Sequence, residues 1–420
     1  MSANLAAAAI ARRVPFFYGW IVLFAVCCAG FARQGPAVAT LSIFVDPMTT
    51  EFGWSRTAIS GAVSLGGLLA AFLSPMLGPM LDRHGARAML TFAVGATGVA
   101  VAALAYTPSL LYFYVAFCVG RTCFAGPFDL GIYGAVNKWF VRHRAIATAL
   151  ANVAMMVGLV GMPLIAQFAI DHDGWRAGWL AVGAAVLVVG LVPVWLFVVR
   201  QPEDLGLEPD GGPAARAGGA ESGSKPVEAR QFTRDEAMRT PVFWLLMLYT
   251  ALVYPVQAGI SLHQAPFLIE RGIDPTVAAL VVSTFSLMAG VSGLLFGVFV
   301  RRTGVRLALI GAAVLLTGSV LLMEALASEY EAFVAAGLFG LGLGGMFTVL
   351  PIAWADFFGR QSYGAIRGIA LMAQVLPQAA GPLISGVLRD VTGDYSASFY
   401  CFAVFAGLAA FVGLFTARPK

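Results

Sequence analysis

Arg33, Arg121 and Asp129 are ionisable side chains placed inside apolar runs. An arginine near the middle of a membrane helix costs about 2.5–3.5 kcal/mol on insertion scales, so two of them call for a reason. A guanidinium is permanently charged and presents planar donors that match the fork of a carboxylate. One reading is therefore an anion-binding site. The other is that Arg33 or Arg121 is taken up by Asp129 or by helix carbonyls as a structural pair. Asp129 follows Arg121 by eight residues, about 12 Å along an ideal helix and about 80° around it. Gly126-Pro127 between them should kink the helix and bring the two side chains nearer. A buried acid here could take up a proton as substrate binds, or serve as a fixed counter-ion.

A second polar set, Tyr254, Pro255, Gln257, His263 and Gln264, falls within residues 241–269. His263 is a protonation candidate or a plain hydrogen-bonding group. The glutamines could bind a substrate oxygen or join helices. Tyr133 and Trp354 are candidate pocket walls or packing residues; Gln374 and Gln378 are weaker candidates. Gly340, Gly342, Gly344 and Gly345 permit close helix contact and bending. No Gly-Lys-Ser/Thr follows them, so they form no nucleotide-phosphate loop. No nucleophile–base pair or metal-ligand spacing is visible, which argues against an enzyme and against a metal or other cofactor. Cys27, Cys28, Cys118, Cys123 and Cys401 all lie in apolar runs and read as small packing residues.

The elements that must position these residues follow from composition. Hydrophobic residues make up 59% of the 420 and charged ones 11%, against roughly a quarter charged in a soluble domain. Apolar runs of about 20 residues recur, each long enough to cross a bilayer as a helix. The alternation of barrel strands is absent, which leaves helices. The expected class is an all-α membrane protein with twelve helices near 17–46, 55–81, 87–107, 109–138, 144–170, 175–199, 241–269, 275–300, 306–327, 330–357, 362–389 and 396–416. Residues 201–240, rich in Gly, Ala, Ser and Pro, read as a cytoplasmic flexible linker. It separates an amino-terminal six-helix bundle, 1–200, from a carboxy-terminal one, 241–420. The first apolar run lacks a cleavage pattern and is expected to stay as an anchor.

The 26 basic residues give the orientation. With both termini and the linker cytoplasmic, only Arg56, Arg176, Arg271 and Arg389 fall on the far side, and Arg33 and Arg121 in neither. That is a strong positive-inside bias, and such a scatter of charge at helix ends does not suggest nucleic acid. The halves are also copies. At one fixed shift Gly78, Arg83, Gly85 and Arg87 meet Gly297, Arg302, Gly304 and Arg306; Glu51 and Gly53 meet Glu270 and Gly272; Pro163 and Asp171 meet Pro382 and Asp390. A tandem duplication explains this register.

The stretch Gly78…Asp82-Arg83-His84-Gly85-Ala86-Arg87 resembles the loop between helices two and three of the major facilitator superfamily. Phe17-Tyr18-Gly19-Trp20 is similar to the start of monocarboxylate transporters. Arg144-Ala145…Gly158…Gly161-Met162-Pro163, with Gly174-Trp175-Arg176, resembles that group and the bacterial oxalate/formate exchangers. The resemblance implies two pseudo-symmetric bundles around a central cavity lined by helices one, four, seven and ten, with Gly78, Asp82, Arg83, Gly85 and Arg87 as a gating motif. Asp82 would suit a neighbouring helix N-terminus. Arg301 replaces this acid in the second copy, so the halves should not be gated equally. The chain departs from the animal-type transporters: Ala289 and Gly293 stand where they carry an acid and an arginine in helix eight. Ala37 stands in place of their helix-one lysine, with Arg33 one turn earlier.

The expected function is secondary transport of a small organic anion, a mono- or dicarboxylate, by proton symport. Arg33 and Arg121 would bind the anion, Tyr133, Tyr254, Gln257 and His263 would shape the pocket, and Asp129 or His263 would carry the proton. The expected setting is multi-pass in the cytoplasmic (inner) membrane, functional as a monomer. Anion exchange, proton-driven drug efflux and non-transporting sensing are the alternatives.

Overall fold

Apolar runs bounded by capping residues set the helices. The computed structural model describes residue 11 and residues 13–211 and 231–419, and all regular structure among these is helical. In chain order the helices are α1 (Gly19–Ala32), α2 (Val38–Phe52), α3 (Arg56–Ala103), α4 (Leu110–Ala125), α5 (Pro127–Trp139), α6 (Arg144–Ala185) and α7 (Val192–Phe197). They continue with α8 (Arg234–Met238), α9 (Pro241–Glu270), α10 (Pro275–Thr303), α11 (Val305–Glu324), α12 (Glu329–Phe358), α13 (Tyr363–Thr392) and α14 (Ser396–Gly413). Side-chain oxygens of Ser55, Ser109, Thr240 and Asp274 accept from the first-turn N–H groups of α3, α4, α9 and α10, which satisfies donors that a helix leaves orphaned.

Nine helical stretches among the described residues are long and apolar enough to cross a membrane. Two of them each hold a pair of expected helices joined at a sharp kink. Gly85 (φ +83°) breaks α3, and Asp173 with Gly174 (φ +79°) breaks α6; glycine adopts such left-handed φ values without a Cβ clash. The expected first and fourth helices are instead each split in two, into α1 with α2 and α4 with α5. A π-helical turn, Val186–Leu191, interrupts the expected sixth. Large apolar side chains such as Phe72, Leu111, Phe168 and Val391 are exposed, as lipid-facing surface requires.

The chain divides into two compact units. The first holds the residues up to Ala147, Ala151–Gln231 and Gly359–Ile369; the second holds Thr148–Leu150, Phe232–Phe358 and residues from Ala370 onward. Within the first unit the expected loop motif has a clear job. The Asp82 carboxylate accepts from Gly364 N–H at 2.9 Å and Ala365 N–H at 2.7 Å, the first turn of α13, where a negative charge is favoured by the helix dipole. Arg87 donates to the Trp195 carbonyl at 2.7 Å and Arg200 to the Asp82 carbonyl at 3.1 Å, while Arg83 is exposed. Gly78 lies against the Gly364 backbone, leaving no room for a Cβ. In the second copy Arg301 and Arg302 are exposed, so the acid's cap has no counterpart there.

The described ends of the 201–240 connection are ordered. Asp210 accepts from Val141, Arg142 and His143 N–H groups. Gln231 accepts from Arg360 and Gln361 N–H groups, and Thr233 with Glu236 forms a capping box. Residues 212–230 lie outside the described ones.

In the second unit the glycines of α12 work as their crowding predicts. A Cβ on Gly340 would strike the Phe285 carbonyl oxygen and one on Gly344 the Ala289 carbonyl oxygen, both on α10, whereas one on Gly337 would meet only Met288 at an ordinary 3.8 Å. Overpacking of this kind costs about 1–3 kcal/mol. Gly340→Ala and Gly344→Ala should therefore each lower the melting temperature of the detergent-solubilised protein, with Gly337→Ala close to the parent; equal melting of all three would contradict the seam.

Candidate functional site

Both split helices lie in the first unit. Pro36, within the break between α1 and α2, lacks an N–H, and the turn is held by Thr40 Oγ1 donating to the Gln34 carbonyl at 2.8 Å. Pro127 opens α5 and cannot donate back to α4, so the helix parts at Gly126. A Cβ on Gly120 would lie 3.1 Å from Pro36: α4 packs closely on the break between α1 and α2 because the smallest residue faces the ring.

Each break frees backbone that a charge then uses. The Phe124 carbonyl, whose helical partner would be the Phe128 N–H across the break, accepts from Arg33 Nε at 2.9 Å. Arg33 Nη1 reaches the Met155 sulfur at 3.1 Å, and Arg33 Nη2 lies 3.9 Å from Asp129 Oδ2. Asp129 sits in the first turn of α5, a favourable place for an acid. Its other oxygen accepts from Arg367 Nη2 at 3.2 Å, and both side chains of that pair are almost wholly buried. Tyr133, one turn further along α5, donates to Asn152 Oδ1 at 2.7 Å.

Arg121 is treated differently. Its guanidinium carbon stacks 4.4 Å from the centre of the Phe124 ring, as does that of Arg33, so the two cannot be further apart than twice that distance. A cation over an aromatic face gains on the order of 0.5–2 kcal/mol, which offsets part of the mutual repulsion. Arg121 Nε is buried and has no hydrogen-bond partner. Gly66 on α3 makes room for its stem, since a Cβ there would lie 2.6 Å from Arg121 Cβ. Two guanidiniums thus face one carboxylate while a third, Arg121, shares the Phe124 ring with Arg33, an excess of positive charge in a site walled by Phe124 and Met155.

Sequence reasoning named Arg33, Arg121, Asp129 and Tyr133, and the structure places all four in this unit. It missed Arg367, which the positive-inside tally counts as a cytoplasmic end residue. The signal was there: Arg367 is flanked by Ile366, Gly368 and Ile369, as apolar a setting as that of Arg33. Phe124 and Met155 carried no signal beyond being apolar.

The residues expected on helix seven lie in the second unit. Gln378 Nε2 donates to Gln257 Oε1 at 2.9 Å, which joins α13 to α9. Tyr254 is buried beside the Phe347 ring. His263 Nδ1 shares a 3.2 Å hydrogen bond with the Tyr395 hydroxyl. Trp354 is fully buried against Phe243 and Phe358, a packing role. Among the described residues no group of three or more His, Cys, Asp or Glu is placed to hold a metal ion.

Comparison with known proteins bears on the whole chain. The family model described as Major Facilitator Superfamily matches residues 22–270 and 258–420. "Monocarboxylate transporter 6" of Homo sapiens is 23% identical, covering 95% of this chain and 80% of that protein. "Membrane sensor protein UhpC" of Escherichia coli strain K12 is 28% identical over 79% of this chain and 77% of its own. Among solved structures, the proton:xylose symporter XylE superposes with a TM-score of 0.77 at 14% identity, covering 96% of this chain and 97% of that one. With a model match over nearly its full length and helical spans of the matching kind, the chain belongs to the major facilitator superfamily of membrane transporters.

Proposed function

We propose that this chain carries a small organic anion, a mono- or dicarboxylate, across the membrane together with a proton, by alternating access. The observation that carries the reading is Arg121, a guanidinium that shares the Phe124 ring with Arg33 and has a buried donor left unbonded. An unpaired buried donor is costly, and a carboxylate supplies the complementary acceptor and charge. Arg33, already bonded to the Phe124 carbonyl, positions the site and adds its field, and Asp129 carries or balances the proton. Tyr133, Tyr254, Gln257 and His263 are the proposed pocket residues, and Gly78, Asp82, Arg83, Gly85 and Arg87 the proposed gating motif. The proposed setting is the cytoplasmic membrane, with the termini and the 201–240 linker on the cytoplasmic side, two six-helix halves, and the monomer as the working unit. Homologues that are monocarboxylate transporters support the substrate class. Cationic drugs fit poorly, because the cluster would repel them.

The test is uptake of a panel of labelled carboxylates into proteoliposomes, with and without an inward proton gradient. Arg121→Gln should raise the half-saturating concentration about 10–100-fold, the worth of a charge-assisted hydrogen bond. Unchanged saturation by every transported carboxylate would sink the anion site.

Asp129→Asn keeps an acceptor for Arg367 but cannot ionise. It should abolish gradient-driven net uptake while sparing counterflow. Full gradient-driven uptake in that variant would remove Asp129 from coupling, and gradient-independent exchange by the parent protein would favour an exchanger. Carboxylate that raises the melting temperature yet is never taken up would instead favour a sensor.

A further inference from the structure

The second unit contains an open-sided cavity of about 560 Å³ where the C-terminal end of α9 meets the turn between α13 and α14. Glu270, Arg271, Arg389, Asp394 and Tyr395 line it. Both arginines are already neutralised. Arg389 donates to Glu270 at 3.0 Å and also lies 3.7 Å from Asp390; Arg271 donates to Glu324 at 2.7 Å. Glu270 and Asp394 line the cavity with the two arginines, and Asp390 and Glu324 engage those arginines from outside the lining, so the arginines leave no free positive charge to hold an anion and acid is in excess around them. The Tyr395 hydroxyl stands at its inner wall with His263 behind it. Their rings lie 5.2 Å apart, and the hydroxyl meets His263 Nδ1 at 3.2 Å. The opposite ring nitrogen, Nε2, is buried and without a hydrogen-bond partner. Burial, and then the charge of Glu270, hold the Tyr395 hydroxyl above its ordinary pKa, so it stays a proton donor across the working range.

We propose that this cavity is a proton-entry port, with its carboxylates gathering protons and the Tyr395 hydroxyl relaying them to His263. The inference rests on the proton-coupled reading above and adds the route and a positioning residue, Tyr395. The step balances. A hydronium in the cavity gives a proton to the Tyr395 oxygen as the hydroxyl proton passes to His263 Nδ1, forming imidazolium. The charged and titratable groups around the relay are Tyr395 at the start of α14, Glu270 and Arg271 at the end of α9, Arg389 and Asp390 on α13, Asp394 in the turn and Glu324 at the end of α11. Because the acids act through their field, the port should weaken with ionic strength as charges are screened over about 10 Å at 0.1 M salt.

The experiment compares Tyr395→Phe with the parent protein in proteoliposomes. Phenylalanine keeps the ring against His263 and removes only the hydroxyl. Gradient-driven net uptake should fall at least 10-fold and lose its salt dependence, while counterflow and the half-saturating substrate concentration stay at parent values. His263→Gln should remove a pH-dependent limb from the uptake profile. Parent-level net uptake with an unchanged pH profile in both variants overturns the port and leaves the coupling reading standing. Absence of gradient-driven uptake by the parent overturns both. Loss of counterflow in Tyr395→Phe marks the tyrosine as structural and also overturns its relay role.

Discussion

A permanent charge placed in hydrocarbon has to be answered by another charge, a freed backbone group or a polarisable surface. The first unit answers in all three ways around Asp129. The acid itself faces Arg33 and Arg367, the Phe124 carbonyl takes the Arg33 Nε proton, and the Phe124 ring faces both Arg33 and Arg121. None of this is possible on unbroken helices, whose carbonyls are spent internally. Pro36 and Gly126-Pro127 are therefore part of the electrostatics as much as of the shape. A broken helix is tolerated at membrane depth where protein buries the break, and here α4 packs on the Pro36 break at Gly120. Removing the single acid would leave Arg367 buried beside like charges, a loss on the order of 3–5 kcal/mol for such pairs.

The tandem duplication shows what the fold needs twice and what it needs once. Glu51 and Glu270 occupy matching positions, and both are held by an arginine near the connection of the last two helices of their half: Glu51 by Arg176 at 2.6 Å, Glu270 by Arg389 at 3.0 Å. The arginines are not at matching positions, so the clasp persisted while its donor moved. The acid cap at Asp82 was not kept in the second copy, where Arg301 is exposed. The charged cluster, too, belongs to the first unit alone, while the second devotes its polar residues to Gln257–Gln378 and to His263–Tyr395.

Composition and period were enough for the fold, because lipid leaves the backbone few choices and because charges gather at helix ends. The kinks at Gly85 and Gly174 are legible as glycines in loop motifs, and the helix-four break as Gly126-Pro127. The split at Pro36 and the π turn at Val186–Leu191 were not, since single prolines and apolar stretches are common in membrane helices that remain whole. Arg33, Arg121 and Asp129 stood out because they lie deep within long apolar runs. Arg367 escaped although its immediate neighbours are equally apolar. It follows Arg360 at the start of a helix, where a basic residue is ordinarily read as a cytoplasmic anchor, and only folding brings it to an acid 238 positions away. His263 and Tyr395, 132 positions apart, are joined in the same way.

The packing of α10 on α12 bears on where a charge can be placed. Backbone of Phe285 and Ala289 lies where a Cβ on Gly340 or Gly344 would be, and the Gly293 carbonyl accepts from Thr348 Oγ1 at 3.5 Å. A carboxylate or guanidinium at Gly340 or Gly344 would have to push the two helices apart. A seam of small residues holds helices together by dispersion and cannot also house a charge. The charged apparatus therefore lies where backbone is already open, and in this chain that is the break at Gly126-Pro127, whose freed Phe124 carbonyl takes Arg33. It follows that the positions of glycine and proline, more than the identity of any one ionisable residue, decide which half carries the electrostatic burden.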